Sequence, residues 1–175
     1  MKPWLLGLVC FVVGLMVVPL VAFVYLDYGR PPVAVSDASF PFERQIVRAP
    51  LHRRIDAELA QPPTKPTDQS LLAGAITYKE QCAFCHGTPD HKADVGKNMF
   101  PSAPQLWVKH RNGVVGVSDD PVGETFWRVK NGVRLTGMPS YQKTLSESQM
   151  WEVSQLLASA AGPLPDSVHA ALVSK

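Results

Sequence analysis

The chain opens on an uninterrupted apolar run. From Pro3 to Leu26, twenty-four residues rich in Val, Leu and Phe carry no charge. As a helix rising about 1.5 Å per residue the run reaches about 36 Å, enough for a hydrocarbon core of roughly 30 Å. Between 27 and 67 the apolar density falls, except where Leu51, Ile55 and Leu59 recur on one helical face among charged positions. Beyond Thr67 the helical period returns three times. It runs through Leu71, Leu72, Ala75, Ile76 and Tyr78 towards Cys82, then through Phe126, Trp127 and Val129. A last segment carries Met150, Val153, Leu156 and Leu157, with Trp151 beside them. The pattern predicts an all-α chain.

Polar residues set the helix ends. Thr67 or Asp68 can cap the first of the three later helices. Asp119 or Asp120, with Pro121 at the first helical position, opens the second, and Asn131-Gly132 offers a left-handed stop. Ser146-Glu-Ser-Gln149 has the spacing of a capping box ahead of the third, which Gly162-Pro163 ends. Gly74 costs about 1 kcal/mol relative to alanine inside its helix, and such a glycine lets another backbone come close. The last helix is the natural neighbour of Gly74 and Tyr78.

Residues 27–67 contain seven prolines, from Pro31 to Pro66, a density that favours extended, semi-rigid chain. The expected organisation is a transmembrane anchor over 1–28, a Pro-rich linker over 29–67 and a helical domain over 68–175 that ends in a short tail. The Leu51–Leu59 island is either a short helix lying on that domain or a docking element for a neighbouring subunit, because an amphipathic stripe must be buried on something.

A cleaved signal peptide is the competing reading of the opening run. Its apolar core would span about 7–15 residues and end at a small-x-small site. This run is longer, and Ala34 and Ser36 lie far beyond it. A lipoprotein reading of Cys10 meets Leu8-Val9 where small residues belong. An uncleaved span is expected, lying in membrane lipid through residues 3–26, with Trp4 at one interface and Tyr25 and Tyr28 at the other. The net charge is only +2, with ten bases against ten acids over residues 68–175. No basic cluster interleaved with aromatics points to nucleic acid.

The chemistry sits in Cys82-Ala83-Phe84-Cys85-His86. Two cysteines three apart can each form a thioether to a haem vinyl group, and the next residue, His86, is then aimed at the iron. A thioredoxin-type pair would need a strand and a βαβ setting, and neither is visible. A zinc site would need two more ligands, but no cysteine follows Cys85, and His91 and His110 lack paired spacing. Haem of this kind is attached outside the cytoplasm. The domain is therefore expected in the periplasm, with the amino terminus and Lys2 on the cytoplasmic side of the inner membrane.

Three methionines follow His86: Met99, Met138 and Met150. Met150 lies in a helix beside Trp151, where a packing role is the ordinary one. Met138 sits between Gly137, which gives the backbone freedom, and Pro139, which stiffens it. That setting suits a thioether pressed on a metal, and Met138 is preferred to Met99 as the second axial ligand. His–Met ligation raises the reduction potential and leaves no open coordination position.

Together these residues resemble a class I cytochrome c domain over roughly residues 70–162. The matching elements are Gly74-x-x-x-Tyr78-x-x-x-Cys82-x-x-Cys85-His86, Pro104-Gln105-Leu106, Thr136-Gly137-Met138-Pro139 and Leu145-Ser146…Trp151. Membrane-anchored monohaem members are the most similar. The resemblance implies four to five helices around one covalent haem c, first and last helices crossing near Gly74, and the Pro104 carbonyl bonded to the ring of His86. Residues 108–118 are longer than a minimal domain of this kind needs, and Asn112-Gly113 suggests a turn there.

The expected function is single-electron transfer on the periplasmic side. The chain would act as a subunit of a respiratory or dehydrogenase complex or, alternatively, as a tethered shuttle to a terminal oxidase. Redox proteins would be its partners, and it would not itself be an enzyme. A haem sensor or peroxidase would need an open iron position, which Met138 closes.

Overall fold

The computed structural model describes residues 2–110 and 112–173. Met1, at the end expected in the cytoplasm, Arg111 within the 108–118 segment, and residues 174–175 of the tail lie outside the described residues. Among the described residues every regular element is helical, apart from an isolated bridge between Lys109 and Val115. The all-α expectation holds.

The chain divides into two compact units, Met1–Ile46 and Val47–Lys175. In the first, α1 (Pro3–Tyr28) is a single helix of 26 residues with Pro19 inside it. It is long and apolar enough to cross a membrane, with a mean hydropathy of 2.8, and none of its residues is buried. The chain then turns at Asp37, whose carboxylate accepts from the amides of Val33 and Ala34.

The second unit begins inside the segment expected to be linker. A helix, α2 (Glu43–Ala57), runs across the division and contains Pro50. The Leu51–Leu59 stripe is spent within its own unit. Ile55 is 1% exposed. Leu59 and the Ala60 carbonyl lie against Gly123, and the indole of Trp127 donates to Glu58 Oε2 at 2.7 Å. The prolines that follow strap the same unit, where Gln155 Nε2 donates to Thr64 O at 2.6 Å.

Six further helical segments complete it: α3 (Asp68–Gln81), α4 (Ala83–His86), α5 (Asp94–Lys97), α6 (Val122–Asn131), α7 (Glu147–Ala158) and α8 (Asp166–Val173). Of these α4 and α5 are single turns. Thr67, not Asp68, caps α3 in a reciprocal box with Ser70, and Ser146 with Gln149 does the same for α7. The second cap differs from expectation. Pro121 is itself the N-cap of α6, and Asp120 turns instead to Arg128 at 3.6 Å. Gly132, at φ 68°, stops α6 as its sequence predicts.

Helices α3 and α7 cross at Gly74. A methyl group there would meet the backbone of Glu152 and Val153, so only glycine permits this approach. Tyr78, Val153 and Leu156 are fully buried around the crossing. The tail is not an appendage. It forms α8, whose Val168 and Leu172 join Leu71, Ala75 and Tyr78 in one core, while Lys79 Nζ donates to Leu172 O at 3.0 Å. A second cluster gathers Phe126, Val129, Met150 and Trp151, with the rings of Phe126 and Trp151 stacked at 3.8 Å. The expected turn is present at Gly113 (φ 87°), and His110 N donates to Val114 O at 2.8 Å. Trp107 and Val117, at its two ends, pack on the core.

Candidate functional site

Helix α3 delivers the cysteines. Cys82 ends it, its amide bonded to Tyr78 O at 2.8 Å, and the amides of Cys85 and His86 then both turn back to Cys82 O, at 3.1 and 3.0 Å. One helical turn therefore carries Cys82, Cys85 and His86. Both thiols are free and half-buried. Burial, with Cys85 nearby, pushes the Cys82 thiol up to about 12. This surrounding favours an uncharged sulfur, which a thioether is.

His86 is oriented by one bond. Its Nδ1 donates to Pro104 O at 2.8 Å, because a carbonyl can only accept. Nε2 is then the ring nitrogen with a free lone pair. Burial holds the imidazole pKa below its ordinary value, against the opposing pull of the Pro104 carbonyl, so at neutral pH the ring is uncharged and fit to bind a metal.

The segment bearing Pro104 is knitted to the cysteine turn. Leu106 N donates to His86 O at 3.1 Å, and Ala103 N to Gly96 O at 2.9 Å. Gln105 spans the gap, accepting from Ala93 N at 2.7 Å and donating to Cys85 O at 3.2 Å. This role was not expected for Gln105, whose one local signal is a polar residue set between Pro104 and the buried Leu106.

Met138 lies on the loop between α6 and α7 and packs against the Phe126–Trp151 cluster. Its amide donates to Thr136 Oγ1 at 3.1 Å, and its carbonyl accepts from Val133 N at 3.2 Å. Tyr141, three residues on, is joined to the cysteine side, since its hydroxyl donates to Gln81 O at 2.7 Å. Met150 is 3% exposed in the core. Met99 reaches the Met138 loop from the other direction, with its methyl group against Gly137. The structure thus gathers Cys82, Cys85, His86 and Pro104, and Tyr141 and Met99 join the Met138 loop to their segments. Two thiols on one turn, a neutral imidazole with Nε2 free and a thioether form a donor set that fits a covalently attached haem.

Comparison with known proteins agrees with this chemistry. A family model described as cytochrome c oxidase, cbb3-type, subunit III, matches residues 69–157, just over half of the chain. No curated protein matches. Among solved structures, a chain of the reducing HAO-like protein complex Kustc0457/Kustc0458 of Kuenenia stuttgartiensis is similar at 22% identity with a TM-score of 0.43. The match covers 58% of the present chain and spans about half, 48%, of that one.

Proposed function

Since this chain belongs to the cbb3-type cytochrome c oxidase subunit III family, a family of class I c-type cytochromes that carry electrons and are not enzymes in themselves, we propose that it is a membrane-anchored, single-haem subunit passing electrons on the periplasmic side. In this reading Cys82 and Cys85 would hold haem c through thioethers, His86 and Met138 would ligate its iron, and Pro104 fixes the ring of His86. The bound haem supplies a one-electron couple between ferrous and ferric iron.

The observation that carries the reading is the single turn bearing Cys82, Cys85 and His86, with His86 Nδ1 fixed by Pro104. A carbonyl on Nδ1 sets the tautomer, directs Nε2 and raises ligand basicity. Met138 is half-buried and packs against the Phe126–Trp151 cluster, an apolar setting that suits a thioether. The first 28 residues anchor the domain, and the anchor keeps it at high effective concentration near membrane partners.

Subunit and tethered shuttle remain distinct readings. The family description, which names an oxidase subunit, favours the first. The Leu51–Leu59 stripe no longer supports it, because Ile55 and Glu58 are engaged within the chain itself. Expression of the full chain with haem-maturation machinery, followed by purification from membranes in mild detergent, tests the proposal. One haem per chain, a ferric methionine–iron charge-transfer band that Met138→Leu abolishes, and stoichiometric copurifying redox subunits are expected. A soluble product would refute the anchor. A carrier that purifies alone would favour the shuttle, and a band surviving Met138→Leu would remove that ligand.

A further inference from the structure

The two sides of the site meet at Met99. Its segment belongs to the histidine side: Asn98 donates to Asp94 O through its side chain at 3.1 Å, Ala103 N donates to Gly96 O, and Gly96 rests on the Cys85 carbonyl. From that base the half-buried Met99 side chain reaches the loop of Met138. Its methyl fills the space that a side chain on Gly137 would need, with the sulfur 3.5 Å from that position. The loop itself is strained, since Leu135 adopts φ 62° and is 81% exposed. A left-handed non-glycine residue of this kind costs on the order of 1–3 kcal/mol and persists only where its surroundings hold it.

We propose that Met99 is a positioning residue, a latch that clasps the Gly137–Met138 backbone to the histidine side and so keeps the Met138 sulfur within reach of the iron. The inference rests on the reading of Met138 as the sixth ligand. Methionine suits the task because its unbranched thioether adapts to an irregular gap. Glycine at 137 is the complement, a surface with nothing between backbone and methyl. Opening the latch would free the loop, and an added ligand would then displace Met138 more easily.

The test uses the ferric holoprotein, full chain, titrated with imidazole while the methionine–iron band is followed, and repeated as pH is raised. Met99→Ala should keep the band at neutral pH but lose it at about tenfold lower imidazole and at lower pH than the unaltered protein. Met99→Leu, similar in volume and without sulfur, should restore the ordinary titration. Gly137→Ala displaces the methyl from the other side and should reproduce Met99→Ala, the double variant being little worse than either alone. If Met99→Ala does not accumulate, Gly137→Ala carries the test. An unchanged imidazole titration in Met99→Ala and Gly137→Ala would overturn the latch, while loss of the band in Met138→Ala would leave the ligand assignment standing. A band abolished by Met99→Leu yet surviving Met138→Ala would overturn both, making Met99 the ligand.

Discussion

The Tyr141 hydroxyl donates to the main-chain carbonyl of Gln81 at 2.7 Å. These residues are sixty apart in sequence, yet one follows Met138 by three and the other immediately precedes Cys82. The bond ties the loop of one proposed axial ligand to the helix that delivers the other.

Tyr141→Phe removes that bond and little else. A loss of about 0.5–1.5 kcal/mol is expected, lowering Tm by a few degrees. Following thermal unfolding of the holoprotein at both the haem band and the far-ultraviolet helix signal checks it. The haem band should decay first, because the loop is released before the helices melt.

Helix packing at Gly74 is a close test of the fold. Gly74→Ala gains helix propensity of about 1 kcal/mol but forces a methyl onto the Glu152 backbone. Overpacking should outweigh the gain, leaving a net loss of roughly 1–2 kcal/mol in urea unfolding. An increase in stability would mean that α3 and α7 do not approach as described.

The contact between Glu58 and Trp127 carries a pH signature. The indole bond holds the Glu58 carboxyl below its ordinary value, with Arg54 adding to the effect. Because the folded-state pKa is lowered, the stabilisation is full above the ordinary carboxylate pKa and disappears as pH falls through the lower folded value. The Trp127 indole N–H resonance should therefore move in acid, below about pH 4.3. In Glu58→Gln, which has no carboxyl to titrate, that movement should be absent.

The C-terminal helix should prove structural. Leu172→Ala leaves a cavity beside Tyr78 and Leu71 and should cost about 2–5 kcal/mol. Ending the chain after Pro165 uncovers the same core face and should lower the urea midpoint by more than Leu172→Ala does. Equal stability of the truncated and full chains would contradict the packing of Val168 and Leu172.

The sequence by itself determined the local elements and the chemistry. The charge-free run to Leu26, the capping spacings at Thr67 and Ser146, the stop at Gly132 and the Cys82–His86 turn are all short-range, set by propensity, capping and side-chain chemistry within a few residues. Gly74 was legible as a site of close approach because glycine inside a helix needs a reason. Tertiary structure alone decided where burial went. The prolines predicted extended chain over 29–67, yet Ile55 is buried, Glu58 and Leu59 found partners on α6, and packing outweighed one lost helix bond at Pro50. The tail became α8 because Leu71, Ala75 and Tyr78 left a face that Val168 and Leu172 could cover. Nothing local announces that Tyr141 reaches Gln81 or that Met99 meets Gly137. Those contacts join residues far apart in the chain, and only the shared core brings them within reach.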